Sequence, residues 1–315
     1  MQTNALKRNL RRVCGSIAGA VGAGAVLLLA ASAPAQNLFE ADERSGNIYE
    51  FTSSGVQSTF ASGLHAIAFA EPTPMAFNSA GDLFEANYQS GTIYEFTPNE
   101  GSSTFSPGYY GITGLAFNSA GDLFDVNDSS AIYEFTPNGG SSTFASGHGL
   151  YPLTALAFDS AGDLFAAGSL GPIGSITEFT PGGAQSTFAS GRSLIGPTAL
   201  AFDSAGDLFV ANSVDGYGSI TEFTPNGGSS TFASGLASPL ALAFNSTGNL
   251  FEADWGSGNI YEFTPNEGSS TFASGLDGPS GLAFQGITLP IPEPSTWTLV
   301  GLGLSALLVF RRRKT

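Results

Sequence analysis

Four acidic side chains, Glu40, Glu85, Asp125 and Glu252, each stand two positions before another acid or amide: Asp42, Asn87, Asn127 and Asp254. Asn212 extends the second series without an acid before it. Oxygens gathered in this way could hold a hard cation, since calcium takes about six to eight carboxylate, carbonyl and water oxygens. Aromatic residues occupy the variable stretches between these segments: Tyr88, Tyr109, Tyr110, Tyr151, Tyr217 and Trp255, with His65 and His148. Aromatic faces beside amides and carboxylates suit sugars, because Tyr and Trp join a large apolar area to a polar tip. The same residues would equally serve as turn caps and loop packing. Nucleophilic catalysis has no recognisable basis, as the two histidines are far apart and no nucleophile elbow is present.

Charge narrows the partners further. The chain has 315 residues with 10 Lys and Arg against 26 Asp and Glu. Four bases fall within the first 12 residues and four within the last five, which leaves Arg44 and Arg192 in the body from Asn37 to Pro292. That body holds 25 acids and has a net charge of −23. It repels phosphate backbones, so nucleic acid is excluded as a partner.

The two ends read as addresses. Basic residues through Arg12, an apolar run from Ile17 to Ala31 and the small residues Ala33-Pro34-Ala35 predict a signal peptide over 1–35, removed by signal peptidase. The one cysteine, Cys14, leaves with it, so the mature chain is expected to hold no disulfide or thiolate metal site. At the other end, Pro292-Glu293-Pro294 precedes a short apolar segment, 297–310, and the bases Arg311, Arg312, Arg313 and Lys314. At 14 residues the segment is short for a bilayer span, though flanking arginines extend its reach. These three parts, in order over 292–315, resemble the PEP-CTERM sorting signal. The resemblance implies cleavage near the Pro-Glu-Pro by a membrane-embedded exosortase, which delivers the protein to the surface or exterior of a bacterium with an outer membrane.

Between the ends one unit repeats. Leu200 to Asn212, reading LAFDSAGDLFVAN, recurs at Met75, Leu115, Leu156 and Leu242, followed each time by Ile-(Tyr/Thr)-Glu-Phe and then Ser-Thr-Phe. Phe77, Phe117, Phe158, Phe202, Phe244 and Phe284 mark the period, with steps of 40, 41, 44, 42 and 40. That spacing fits a four-stranded propeller blade. Leu-Ala-Phe is an inner strand, Asn/Asp-Ser-Ala-Gly-Asp a hairpin turn, Leu-Phe-x-Ala-Asn a second strand, Ile-Tyr-Glu-Phe a third and Ser-Ser-Thr-Phe-Ala-Ser an outer fourth. The body opens at Asn37 with a second strand and ends with a first strand at Gly281 to Phe284. The predicted fold is therefore all-β: a six-bladed propeller over 37–285, closed by three N-terminal strands and one C-terminal strand, with a linker at 286–291. In such a ring Glu40, Glu85, Asp125 and Glu252 lie on four consecutive blades as an acidic arc, where calcium is the cation considered. The third-strand glutamates, Glu50, Glu95, Glu134, Glu178, Glu222 and Glu262, recur in every blade and read as structural.

The blade text resembles NHL and SMP-30/gluconolactonase-like propellers. Lactonases of that group hold a divalent cation in the channel, with ligands at the start of the innermost strands. Here Thr73, Thr113, Thr154, Thr198, Leu240 and Ser280 occupy those places, and they are poor primary ligands. The sequence therefore supports a non-enzymatic envelope or extracellular-matrix protein. Its ligand would be a polysaccharide or surface protein held at the loop rim by Tyr88, Tyr109, Tyr151, Tyr217, Trp255, Asn87, Asn127, Asn212 and Asp254. The alternatives are a cation-dependent lactonase-like hydrolase or lyase, and a structural surface scaffold. No cofactor other than calcium is implied.

Overall fold

The computed structural model describes residues 36–64, 73–98, 101–107, 109–128, 130–147, 152–170, 173–265 and 268–286. The signal peptide, His65, His148, Tyr151, the linker from 287 and the sorting tail lie outside them.

Alternating apolar and polar residues, interrupted by Gly, Asn and Pro at each turn, leave no segment able to propagate a helix, and the described chain is built from strands alone. The first three strands are β1 (Leu38–Asp42), β2 (Asn47–Phe51) and β3 (Gln57–Ala61). Blade 1 follows with β4 (Met75–Phe77), β5 (Leu83–Ala86), β6 (Ile93–Thr97) and β7 (Gly101–Ser106). Blade 2 has β8 (Ile112–Phe117), β9 (Leu123–Asn127), β10 (Ala131–Phe135) and β11 (Ser141–Ser146). Blade 3 has β12 (Leu153–Phe158), β13 (Leu164–Leu170), β14 (Ile173–Phe179) and β15 (Gln185–Gly191). Blade 4 has β16 (Pro197–Phe202), β17 (Leu208–Val214), β18 (Tyr217–Phe223) and β19 (Ser229–Leu236). Blade 5 has β20 (Pro239–Phe244), β21 (Leu250–Asp254), β22 (Asn259–Thr264) and β23 (Gly268–Ser274), and β24 (Pro279–Phe284) ends the ring.

Each sheet runs antiparallel from an inner to an outer strand, and the sixth has the order β24-β1-β2-β3. Its seam joins Leu38 to Phe284 and Glu40 to Leu282, as the complementary fragments require. Inner strands pack against those of both neighbouring blades right round the circle, including β24 against β4. Among the described residues every strand lies between Leu38 and Phe284, and these strands close the ring by themselves.

Between blades the packing is phenylalanine on phenylalanine. The second-strand ring of each blade meets its own fourth-strand ring edge-on, as Phe39 meets Phe60 at 5.0 Å, and also the inner-strand ring of the next blade, as Phe39 meets Phe77 at 5.1 Å. The fourth-strand ring then meets the next blade's third-strand ring, Phe60 on Phe96. The pattern returns to its start at Phe251–Phe284 and Phe272–Phe51. Edge-on pairs of this kind add to the burial of each ring. Phe209 is buried and meets Phe232 and Phe244 at 5.0 and 5.1 Å. Phe209→Ala should lower unfolding stability by about 3–5 kcal/mol, checked by denaturant titration of residues 36–291.

Candidate functional site

The rim that carries the turns between second and third strands is built on the Asp/Asn series. Asp42 accepts from the Ser45 N–H at 3.0 Å and, across the seam, from the Asp277 N–H at 2.7 Å. Asp254 accepts from the N–H groups of Ala237 (2.7 Å), Ser238 (3.2 Å) and Ser257 (2.9 Å). Asn87 accepts from Ser90 at 2.8 Å, and Asn212 accepts from Ile195 at 3.2 Å while donating to the Thr221 hydroxyl at 3.1 Å. Asn127 is likewise buried at the end of β9. The carboxylates of Asp42 and Asp254 thus tie their strand ends both to their own turns and to the incoming interblade loops, while Asn87 holds its own turn and Asn212 the interblade loop. In blade 3 the series stops at Gly168, where a Cβ would lie 2.8 Å from the Pro152 carbonyl oxygen.

The aromatic candidates fall on different blades. Trp255 donates from its indole N–H to Glu43 Oε2 at 2.6 Å, under the Arg44 guanidinium 4.2 Å from its ring centre. Arg44 also pairs with Asp277 at 3.5 Å. Tyr217 opens β18 beyond a tight turn in which Asp215 and Gly216 both have positive φ, and it projects alone, 84% exposed. Tyr88, Tyr109 and Tyr110 instead gather between blades 1 and 2. The Tyr88 hydroxyl donates to Asp128 at 2.6 Å, and its ring lies 5.7 Å from that of Tyr110. Tyr109 stacks on Tyr133 at 3.8 Å and is 40% exposed, and Tyr110 is 67% exposed.

Five of the six innermost positions carry hydroxyls engaged in structure, and the sixth is Leu240. Thr113 and Thr198 donate to the next blade's Leu153 and Pro239 carbonyls at 2.8 and 2.7 Å. Thr154 donates to the Ala167 carbonyl at 3.3 Å, and Ser280 donates to the Ala41 carbonyl at 3.1 Å and lies 3.0 Å from the Thr73 hydroxyl. The third-strand acids are also occupied: Glu50 and Glu262 accept from Asn37 and Asn249 at 2.7 Å. The hairpin pairs Asp159/Asp163 and Asp203/Asp207 are turn caps, with Asp159 and Asp203 accepting N–H bonds across their own turns at 2.8–2.9 Å.

Glu40, Glu85, Asp125 and Glu252 stand apart. All four are buried on the second strands of consecutive blades, at the position where blades 3 and 4 pack Ala166 and Val210 against the preceding blade. Neither oxygen of Glu40, Asp125 or Glu252 has a hydrogen-bond partner, nor does Oε2 of Glu85. Burial pushes Glu85 up to about 8 and Asp125 up to about 7, the nearby Tyr133 backbone N–H opposing part of the latter rise. Burial first, then the neighbouring Asp42 and Asp254, holds Glu40 and Glu252 well above the usual carboxylate range. Among the described residues no three acidic, His or Cys side chains converge on one point. Each acid faces a tyrosine across the sheet, in the pairs Glu40–Tyr49, Glu85–Tyr94, Asp125–Tyr133 and Glu252–Tyr261, where the other two blades pair Ala166 with Thr177 and Val210 with Thr221. The Tyr/Thr alternation in the third strand was the sequence signal for this pairing.

Comparison with known proteins agrees with the fold and with the tail. Residues 290–314 match the PEP-CTERM protein-sorting motif, which marks an exported chain processed at the membrane by an exosortase. No curated protein matches the sequence significantly. A chain of the nidogen/laminin complex superposes with TM-score 0.68 at 17% identity, covering 79% of this chain and 98% of that one. Virginiamycin B lyase from Staphylococcus aureus gives 0.56 at 14%, covering 76% and 82%. A candidate gluconolactonase also gives 0.56 at 14%, covering 68% and 81%. The structural neighbours are thus NHL/gluconolactonase-like propellers, and the likeness is one of fold.

A carboxyl raised by folding stabilises the native state below its unfolded value, 4.5 for Glu85, and that contribution is lost as pH rises toward about 8. The thermal midpoint of residues 36–291 should therefore fall between pH 5 and pH 9. Glu85→Leu should flatten part of this slope and raise stability at pH 8 by about 1–3 kcal/mol, as expected when an unsatisfied buried polar group is removed. Calorimetry across the pH series checks both.

Proposed function

We propose that this exported propeller is a non-enzymatic binding protein of the cell envelope or extracellular matrix, with a polysaccharide ligand held on the tyrosine patch between blades 1 and 2. The observation that carries the reading is the cluster of half-buried Tyr88 with exposed Tyr109 and Tyr110 beside Asp128. Tyr109 is exposed yet backed by the Tyr133 ring, and a ring held by stacking loses little entropy on binding. The carboxylate and hydroxyl at its edge offer the polar partners that a sugar needs. Trp255, clasped by Glu43 and Arg44, serves the rim's architecture in this reading, and Tyr217 is a separate exposed ring.

Strong negative charge over the body favours a neutral polymer over an acidic one. The sorting motif supplies the setting, since an exported chain meets the producing cell's own matrix. The hydroxyls of Thr113, Thr154, Thr198 and Ser280, tied to backbone carbonyls, support binding at the rim over chemistry in the channel.

Residues 36–291 should bind the producer's purified neutral exopolysaccharide saturably. The double substitution Tyr109→Ala and Tyr110→Ala should weaken that binding at least about tenfold, or 1.4 kcal/mol, with the unfolding midpoint unchanged. Tyr217→Ala should leave it unaltered. Equal binding by the double variant and the parent in a pull-down isotherm would overturn the assignment.

A further inference from the structure

The end of the channel opposite the tyrosine rim is a pocket in its own right. The inner strands bring Phe77, Phe117, Phe158, Phe202, Phe244 and Phe284 to its mouth around a cavity of about 360 Å³. Alanines, among them Ala116 and Ala243, make the wall behind the rings. Met75, Leu242 and Leu282 border both this cavity and a smaller space of about 80 Å³ that Thr113, Thr198, Leu240 and Ser280 also line. Leu115, Leu156 and Leu200 stand at the corresponding positions of the other inner strands and border that smaller space. One aliphatic side chain from each of the six inner strands thus stands where the two spaces meet.

Size and lining both fit a ligand. Small-molecule sites are concave, mostly apolar and of about 300–1,000 Å³, with a few polar groups at the edge. Here the polar edge is formed by the hairpin turns, with Ser79, Asn118, Ser119, Asp203 and Ser204 among the lining residues. The charge at this mouth has one sign. The same set of turns carries Asp82, Asp122, Asp159, Asp163, Asp203 and Asp207, while the two bases of the described chain, Arg44 and Arg192, lie in loops of the opposite rim. An anionic head would meet this acidic collar without a counter-charge, whereas a neutral or cationic one would not be opposed.

We infer that this phenylalanine-mouthed cavity binds a slender apolar group, an alkyl chain or a single aromatic system, whose head is uncharged or cationic. The last strand of the ring, β24, ends at Phe284 on this mouth. The site is independent of the tyrosine patch, which occupies the other rim.

N-phenyl-1-naphthylamine, a neutral fluorescent probe, should bind residues 36–291 saturably at one site. Dodecyltrimethylammonium should displace it, and dodecyl sulfate should not, each used below its micellar concentration. Ser119→Trp with Ser204→Trp places bulk on two exposed turns across the mouth and should weaken probe binding at least about tenfold, with the thermal midpoint unchanged. Asp159→Asn with Asp203→Asn keeps the turn-capping oxygens and should let dodecyl sulfate compete. Absence of saturable probe binding, or probe binding unchanged in the tryptophan variant, would overturn the proposal. Equal displacement by both detergents in the parent protein would overturn the charge selection.

Discussion

Edge-on packing of phenylalanine rings between neighbouring blades is the interaction on which the rest of this molecule depends. Each blade alone is a four-stranded sheet with one apolar face on either side, and it can bury those faces only against two neighbours. The contact from Phe39 to Phe77 is repeated from Phe251 to Phe284 with the same spacing within about 0.1 Å, although Phe284 lies on the C-terminal strand that completes a sheet of N-terminal strands. The geometry tolerates no missing member, because a gap would expose the rings of both flanking blades. Ring closure then fixes everything functional: the loops that gather Tyr88, Tyr109 and Tyr110 at one end, and the six inner-strand rings that surround the cavity at the other.

The six blades are of two kinds. Blades 3 and 4 extend their second and third strands into longer hairpins, pairing Leu170 with Ile173 and Val214 with Tyr217, and they fill the interblade slot with Ala166 and Val210. The other four have short turns closed at positive φ, by Gly46, Gly91 and Gly258 in three of them and by Ser130 in blade 2, and they place an acid in the slot opposite a tyrosine. A buried carboxyl without a partner is costly as an anion, so burial raises all four above the usual carboxylate range, Glu85 to about 8 and Asp125 to about 7. The variation divides the ring into a taller sector and an acidic one, and the tyrosine patch belongs to the acidic one.

Much of this was legible in the sequence. Phenylalanine spacing gave the blade number, and the unmatched strands at Asn37 and Gly281 gave the seam, since both depend on local periodicity and turn chemistry. The Asp/Asn series was visible as a strand-end pattern, but its double role was not: that Asp42 would reach the Asp277 N–H depends on a partner 235 positions away. Glu40, Glu85, Asp125 and Glu252 stood out by type, yet only packing shows them isolated in separate interfaces instead of converging. The grouping of Tyr88 with Tyr110, and the separation of both from Tyr217 and Trp255, is set by which blades are neighbours and by loop paths that no motif encodes. The apolar pocket went unread because its phenylalanines looked like core residues, which on their other faces they are.

The most direct test of this account is removal of the closing strand. Residues 36–278 lack β24 alone, and without it β1 loses its inner partner while Phe251 and Ala41 lose their cover. The account predicts that this truncated chain loses its single cooperative unfolding transition, and that a synthetic peptide spanning 279–286 restores it in a saturable manner. A truncated chain that unfolds with the same midpoint and cooperativity as residues 36–286 would contradict it.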